Sequence, residues 1–213
     1  MDAYGHVSVR HPGNPERFFV ACSRSPELVA RADLIEYGLD CVPVQPETRV
    51  QYSERFIHGA IYRARPDVMG IVHNHAADVI PFSVTGTPIR PLLHTAACIG
   101  GVVPIWDISK RFGDTDLLVR NAEQGDDLAA HLAANTAVLM RCHGCTVVGR
   151  TVHEAVRASI YLRVNARLQC EAMRMGPVQY LSQGEIDATG VFTSGPTSRV
   201  WEYWSDRAKR SRG

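Results

Sequence analysis

The chain has 213 residues, 45 % of them apolar and 21 % charged, a balance that supports one domain with a substantial core. Its formal net charge is +1 with no long basic block, which leaves nucleic-acid binding without electrostatic support. No apolar run is long enough to span a bilayer, and Met1-Asp2-Ala3-Tyr4-Gly5-His6 lacks the pattern of a signal peptide, so a cytoplasmic protein is expected.

Residues 5–10 (Gly-His-Val-Ser-Val-Arg) alternate and predict a strand; His11-Pro12-Gly13-Asn14-Pro15 is a turn by composition, and Phe18 to Ala21 the returning strand. Ser25-Pro26-Glu27 predicts a helix start with Ser as cap, and Val42-Pro43-Val44 a short strand. Ser53 is expected to cap a helix through about Ala64, which Pro66 stops. Val68-Met69-Gly70-Ile71-Val72 reads as a strand ending in His73-Asn74-His75, with a helix following from about Ala77. Pro91 to Val103 mixes small and apolar residues. Gly113 to Asn121 and Asp126 to Ala134 predict two short helices, and Ala137 to Met140 and Thr146 to Val148 two strands flanking His143-Gly144. Thr151-Val152-His153-Glu154 is a capping box that opens a long helix to about Met175. From Ser182 the sequence is rich in Gly, Thr and Ser, then aromatic and basic. The irregular alternation of strands and helices, with antiparallel turns and no repeat, predicts an α/β fold: a layered sheet with helices on its faces, in a single domain over 1–213.

Alternate residues on a strand share a face, so His73 and His75 can point the same way, about 6–7 Å apart along the chain. Two imidazoles so placed can grip one metal ion. His143 is a third candidate ligand and Glu54 a carboxylate candidate. Spacing alone leaves two polar strand-end residues, a turn histidine and a first-turn carboxylate as the alternatives. The six cysteines fit reduced thiols. Cys142 and Cys145 form a CxxC, read as two small residues lining a strand–turn–strand, because redox CxxC motifs normally open a helix. His11, His131 and His153 read as surface residues. For His58, one turn after Glu54, packing is favoured over orienting that carboxylate.

Four blocks together resemble the class II aldolase/adducin family, typified by fuculose phosphate aldolase: Gly5-His6-Val7-Ser8-Val9-Arg10, Ser53-Glu54 with His58, Val72-His73-Asn74-His75-Ala76, and His143-Gly144 before the Thr151 helix. Their order and spacing agree from residue 5 to about residue 175. The resemblance implies a three-layer α/β/α fold with a central, largely antiparallel sheet, and a homotetramer with sites at subunit interfaces. It also implies metal ligation by His73, His75 and His143, with Glu54 as acid/base and occasional fourth ligand. A helix usually precedes the first glycine block in the family. Here four residues precede it, which implies either a start at an internal methionine or the lack of that helix.

Three departures separate the chain from the sugar-phosphate aldolases. His6 stands where they carry Asn; Cys22-Ser23-Arg24-Ser25-Pro26-Glu27 replaces a Gly-rich phosphate loop; and Tyr52 precedes Ser53 where they have paired serines. His94 aligns with a tyrosine acid that they supply across an interface. These changes resemble the decarboxylase branch, which acts on hydroxylated aromatic or pyridine dicarboxylates. The expected function is therefore metal-dependent, non-oxidative decarboxylation of an ortho-hydroxy aromatic (di)carboxylate. Glu54 and His94 are the catalytic candidates, and His6, Ser23, Arg24 and Ser53 the substrate-binding ones; a bidentate guanidinium at Arg24 suits a carboxylate. Three imidazoles with open oxygen positions admit Zn, Mn, Fe or Co, with Mn or Zn favoured. The alternatives are an aldolase cleaving a hydroxy acid or sugar phosphate, and an adducin-like interaction domain. Apolar residues around much of the Thr151 helix, and Trp201, Tyr203 and Trp204 in a polar tail, predict a tetramer in which His94 or the tail reaches a neighbour's site. That tail is not expected to be ordered by its own domain alone.

Overall fold

The computed structural model describes residues 3–193 and 197–210. Seven strands form one sheet: β1 (His6–Arg10), β2 (Arg17–Ala21), β3 (Leu34–Gly38), β4 (Gly70–Asn74), β5 (Ile105–Trp106), β6 (Ala137–Met140) and β7 (Gly144–Gly149). Their spatial order is β3-β2-β1-β4-β7-β6-β5, antiparallel throughout except for the β5–β6 pair. The helices are α1 (Arg55–Ala64), α2 (Ile80–Thr85), α3 (Ser109–Phe112), α4 (Ala122–Leu132), α5 (Val152–Met175), α6 (Gln183–Thr193) and α7 (Thr197–Arg210).

Side chains alternate across each strand, so the sheet has two apolar faces. Phe18, Val20, Ile71, Val138 and Val148 pack with Ile57 and Ile61 of α1 and Leu128 and Leu132 of α4. On the other face Leu139 and Val147 pack with Phe82 of α2 and with Ala158, Leu162 and Ala166 of α5. Helices on both faces of a largely antiparallel sheet make the expected three layers. A fully buried aliphatic side chain contributes about 1.5–3 kcal/mol, so these contacts fix where the helices sit and hence where their polar residues point.

Several elements differ from the sequence expectation. β3 was not expected: Leu34-Ile35-Glu36-Tyr37 is short and mixed, and it becomes a strand by pairing with β2, with Ile35 and Tyr37 buried. Pro43 contributes only an isolated bridge to Tyr37. Neither Ser25 nor Ser53 caps a helix with its side chain: Ser25 precedes a single 3-10 turn, and the residue at the cap of α1 is Glu54. Residues 113–121 form a loop rather than a helix, with Leu117 at φ +65°, and Asn121 caps α4 by accepting from Gln124 N. Thr151 caps α5 as expected, accepting from Glu154 N, but Glu154 returns its bond to Arg150 N rather than to Thr151. Among the described residues from 182, α6 and α7 are helices that pack on their own chain: Ile186 is buried, Trp201 meets the exposed His153 with ring centroids 4.2 Å apart, and Trp204 lies 6.0 Å from Tyr161. Aromatic residues spaced three apart on α7 supply an apolar stripe that α5 covers, which the tail's overall polarity concealed.

Candidate metal centre

β4, the central strand, carries His73 near its end, and His75 follows one residue beyond it. The strand ends at Asn74, whose side chain points away from the histidines: Nδ2 donates to Ser159 Oγ on α5 at 2.8 Å, and Oδ1 accepts from Ala76 N. This anchor turns the chain, and Nε2 of His73 and Nε2 of His75 come within 3.1 Å of one another. His143 enters from the β6–β7 turn, its Nε2 3.1 Å from that of His75. The turn can approach because position 144 is glycine: a Cβ there would overlap the Asn74 carbonyl and lie 3.1 Å from His75 Cα. Glu54, at the head of α1, places Oε2 3.5 Å from His73 Nε2 and 3.6 Å from His143 Nε2. All four donor atoms lie within 4.8 Å of one another.

The donors are held from behind. His143 Nδ1 donates to the Leu117 carbonyl at 2.9 Å, which leaves the Nε2 lone pair facing the cluster. His73 Nδ1 lies 3.3 Å from Oγ1 of Thr146, its cross-strand neighbour. Thr146 in turn donates to Met140 Sδ and is left to accept from His73. Val119 N donates to Glu54 Oε1 at 3.2 Å. The 113–121 loop thus supports two donors through its backbone, and the non-glycine left-handed residues Leu117 (φ +65°) and Cys142 (φ +59°) sit beside His143. Burial pushes the Glu54 carboxyl up, but His73, His143 and the Val119 N–H outweigh it and hold it at about 2. Burial, then His73, lowers His143 to about 4, so its imidazole is neutral at physiological pH. Three imidazoles and an ionised carboxylate, converging on one point, fit a divalent cation with open positions.

His6 lies beside this cluster. It is the cross-strand neighbour of His73, their ring centroids 4.9 Å apart, and it is buried. Its pKa is well below the usual range, through burial first and then the nearby His58. Tyr52 packs on His6 at 4.6 Å, and its hydroxyl bonds to the Arg24 backbone, so Tyr52 links the Ser23–Arg24 loop to His6. Ser23 and Arg24 are exposed, and the Arg24 guanidinium pairs with Asp33 at 3.3 Å. Ser53 is half-buried just before α1. His94 is exposed on a 3-10 helix (His94–Ile99) and is not among the four clustered donors. His58 does more than pack: it bonds to His6 and Ser8 rather than to Glu54. Thr146, Leu117, Val119, Ser8 and Tyr62 were not singled out from the sequence. A signal for Ser8 and Tyr62 was present: His6, Ser8 and Arg10 alternate on one strand face, while Glu54, His58 and Tyr62 recur every four residues on one helix face.

Residues 1–170 match the family described as Class II Aldolase and Adducin N-terminal domain. The chain is 36 % identical over 228 residues to decarboxylase tropJ of Talaromyces stipitatus, an alignment covering 96 % of this chain and 86 % of that protein. It is 28 % identical over 188 residues to the 3,4-dihydroxyphthalate decarboxylase of Terrabacter sp., covering 82 % of this chain and 74 % of that one. Its fold is similar to the crystal structure of an aldolase II superfamily protein from Pseudomonas syringae, with a TM-score of 0.78 at 21 % identity over 98 % of this chain and 84 % of the other. The protein belongs to the class II aldolase and adducin family, and is a carbon–carbon lyase within it.

Proposed function

We propose that this protein catalyses the metal-dependent, non-oxidative decarboxylation of an aromatic acid with a hydroxyl ortho to the leaving carboxylate, such as a hydroxyphthalate or a hydroxypyridine dicarboxylate. The observation that carries the reading is the convergence of His73, His75 and His143 Nε2 with Glu54 Oε2 on one point. The names of the relatives, a decarboxylase and a dihydroxyphthalate decarboxylase, support the choice of reaction within the family. A divalent metal held by these three histidines, Mn or Zn by preference, supplies Lewis-acid polarisation of the ortho oxygen.

The chain's own residues do the rest. Glu54, ionised and anchored by Val119, accepts the ortho hydroxyl proton and returns it to the carboxylate-bearing ring carbon, giving a keto tautomer. The C–C bond then breaks, CO2 leaves, its electron pair returns through the ring to the ortho oxygen, and aromaticity is restored; solvent reprotonates that oxygen. His6, Ser23, Arg24 and Ser53 hold a second carboxylate, Arg24 by turning from Asp33. His94, exposed on its own subunit, serves as acid at the site of a neighbouring copy in a homotetramer. Six free thiols suit a reducing cytoplasm, and no described helix is long and apolar enough to cross a membrane.

Incubating Mn- or Zn-loaded protein with a panel of hydroxy-aromatic dicarboxylates and phosphorylated sugars tests the reading. CO2 release without oxygen or a nicotinamide cofactor is expected. Efficient cleavage of a sugar phosphate with no decarboxylation across the panel would assign the aldolase reaction instead, and a protein holding no stoichiometric metal would favour the adducin-like scaffold. Deleting the chain from Thr197, or replacing His94, should lower activity more than metal content if the site is shared between subunits.

A further inference from the structure

A line of buried, hydrogen-bonded side chains runs from the edge of the donor cluster between β1 and α1. His6 Nδ1 and His58 Nε2 are 2.7 Å apart, His58 Nδ1 and Ser8 Oγ 2.6 Å, and Ser8 Oγ and the Tyr62 hydroxyl 2.9 Å. None of the four residues is more than 3 % exposed.

Counting hydrogens gives the line a direction. Ser8 is the one hydrogen-bond partner of the Tyr62 hydroxyl among the described residues, so Tyr62 donates and Ser8 accepts. The hydrogen of Ser8 then goes to its other neighbour, His58 Nδ1. Accepting from both sides would leave a buried hydroxyl hydrogen unpaired, at a cost of about 1–3 kcal/mol. With Nδ1 accepting, His58 carries its hydrogen on Nε2 and donates it to His6 Nδ1. His6 is left with its own hydrogen on Nε2, the ring nitrogen with no protein partner among the described residues.

We infer that Tyr62, Ser8 and His58 lock His6 in the Nε2–H tautomer, so that it offers a hydrogen-bond donor to the substrate and selects an anionic oxygen there. The inference deepens the decarboxylase reading and rests on it for the identity of that oxygen, which is one of the carboxylate that stays on the ring. The opposite tautomer would aim a lone pair at a carboxylate and repel it. His6 is the group that meets substrate; the other three are positioning residues. Tyr62 is well held for its part: its ring packs on Phe18 at 5.4 Å, the Arg10 guanidinium lies 4.7 Å from its centroid, and burial raises its phenol far above neutrality, so its hydrogen stays in place. Burial, then the nearby His73, lowers His58 to about 3, which keeps it a neutral link.

The test is nitrogen NMR on 15N-histidine-labelled, Zn-loaded protein, with the His6 signals assigned by their loss in His6→Gln. The expected result is a directly bonded hydrogen on His6 Nε2 and none on Nδ1; a hydrogen on Nδ1 would overturn the proposal. Tyr62→Phe removes the O–H that sets the direction while keeping the ring. A second His6 tautomer should then appear, and KM for a hydroxyphthalate should rise roughly tenfold at unchanged metal content, in the range seen when a supporting hydrogen bond behind a site is lost. An unchanged tautomer in Tyr62→Phe would overturn the lock, and an unchanged KM the role at substrate. If Tyr62→Phe does not fold, Ser8→Ala breaks the same line and is read in the same way. The tautomer is read without turnover, so a failure to find CO2 release from any substrate would count against the decarboxylase reading and leave the tautomer result standing.

Discussion

Two buried polar clusters lie at opposite ends of β1, and they differ in how their hydrogen bonding closes. At one end Arg10, 3 % exposed, spends its guanidinium on four backbone carbonyls, those of Pro15, Tyr62, Arg65 and Val68. Donors and acceptors match, the loops at that end are stitched together, and nothing further is called for. At the other end three imidazole nitrogens and a carboxylate oxygen crowd within 4.8 Å of one another, with His73, Glu54 and His143 each held from behind. Ligating atoms gathered so closely on one point become most favourable on a cation. A buried polar cluster that spends its donors on backbone carbonyls is structural, whereas one whose metal-ligating atoms converge on one point is built to hold something.

The sharpest way to break this contrast is at the open cluster. His73→Ala or His143→Ala should abolish stoichiometric metal binding, a larger loss than the roughly 10–100-fold that outer supporting groups carry, and leave thermal unfolding near wild type. Metal analysis beside calorimetry reads both; full occupancy in either variant would remove that residue from the ligand set. Arg10→Met should do the reverse. It strands buried carbonyls at a cost of at least about 3 kcal/mol, lowering Tm by about 6–12 °C for a chain of this size, while metal per folded molecule stays the same. A smaller effect tests the support behind the donors: Thr146→Val keeps the shape but removes the oxygen at His73 Nδ1, and titration calorimetry should show metal affinity falling about 10–100-fold with little change in Tm.

The most gradual effect, spread over several pH units, concerns His58, which joins the two ends through Ser8 and Tyr62. Its folded pKa, about 3, lies below the ordinary histidine value of 6.5. The unfolded chain therefore binds a proton that the folded chain refuses, so this contribution to stability is complete above about pH 6.5. It is lost as pH falls toward 3, by up to about 1.4 kcal/mol per pH unit. His58→Gln should flatten the acid side of a stability profile measured by denaturant unfolding between pH 7 and 4. An unchanged slope would mean that the histidine takes up its proton without strain.

The sequence by itself determined the parts of this protein that are local or periodic. Ala137–Met140 and the Thr151-capped helix to Met175 follow from apolar period and capping, and the His73-Asn74-His75 strand end showed its ligand potential because strand alternation puts two histidines on one side. Combined with His143 and Glu54 in the right order, these residues also made the family legible. Tertiary structure decided what depends on partners far along the chain. β3 is a strand because β2 pairs with it, and residues 113–121 are a loop because Leu117 and Val119 turn their backbone to His143 and Glu54. α7 lies against α5 because Trp201 and Trp204 find His153 and Tyr161 there. The direction of the His6–His58–Ser8–Tyr62 line likewise follows only once β1 and α1 are packed face to face. A hydrogen bond has a sense only when both of its ends are in place, and here those ends are up to 54 residues apart.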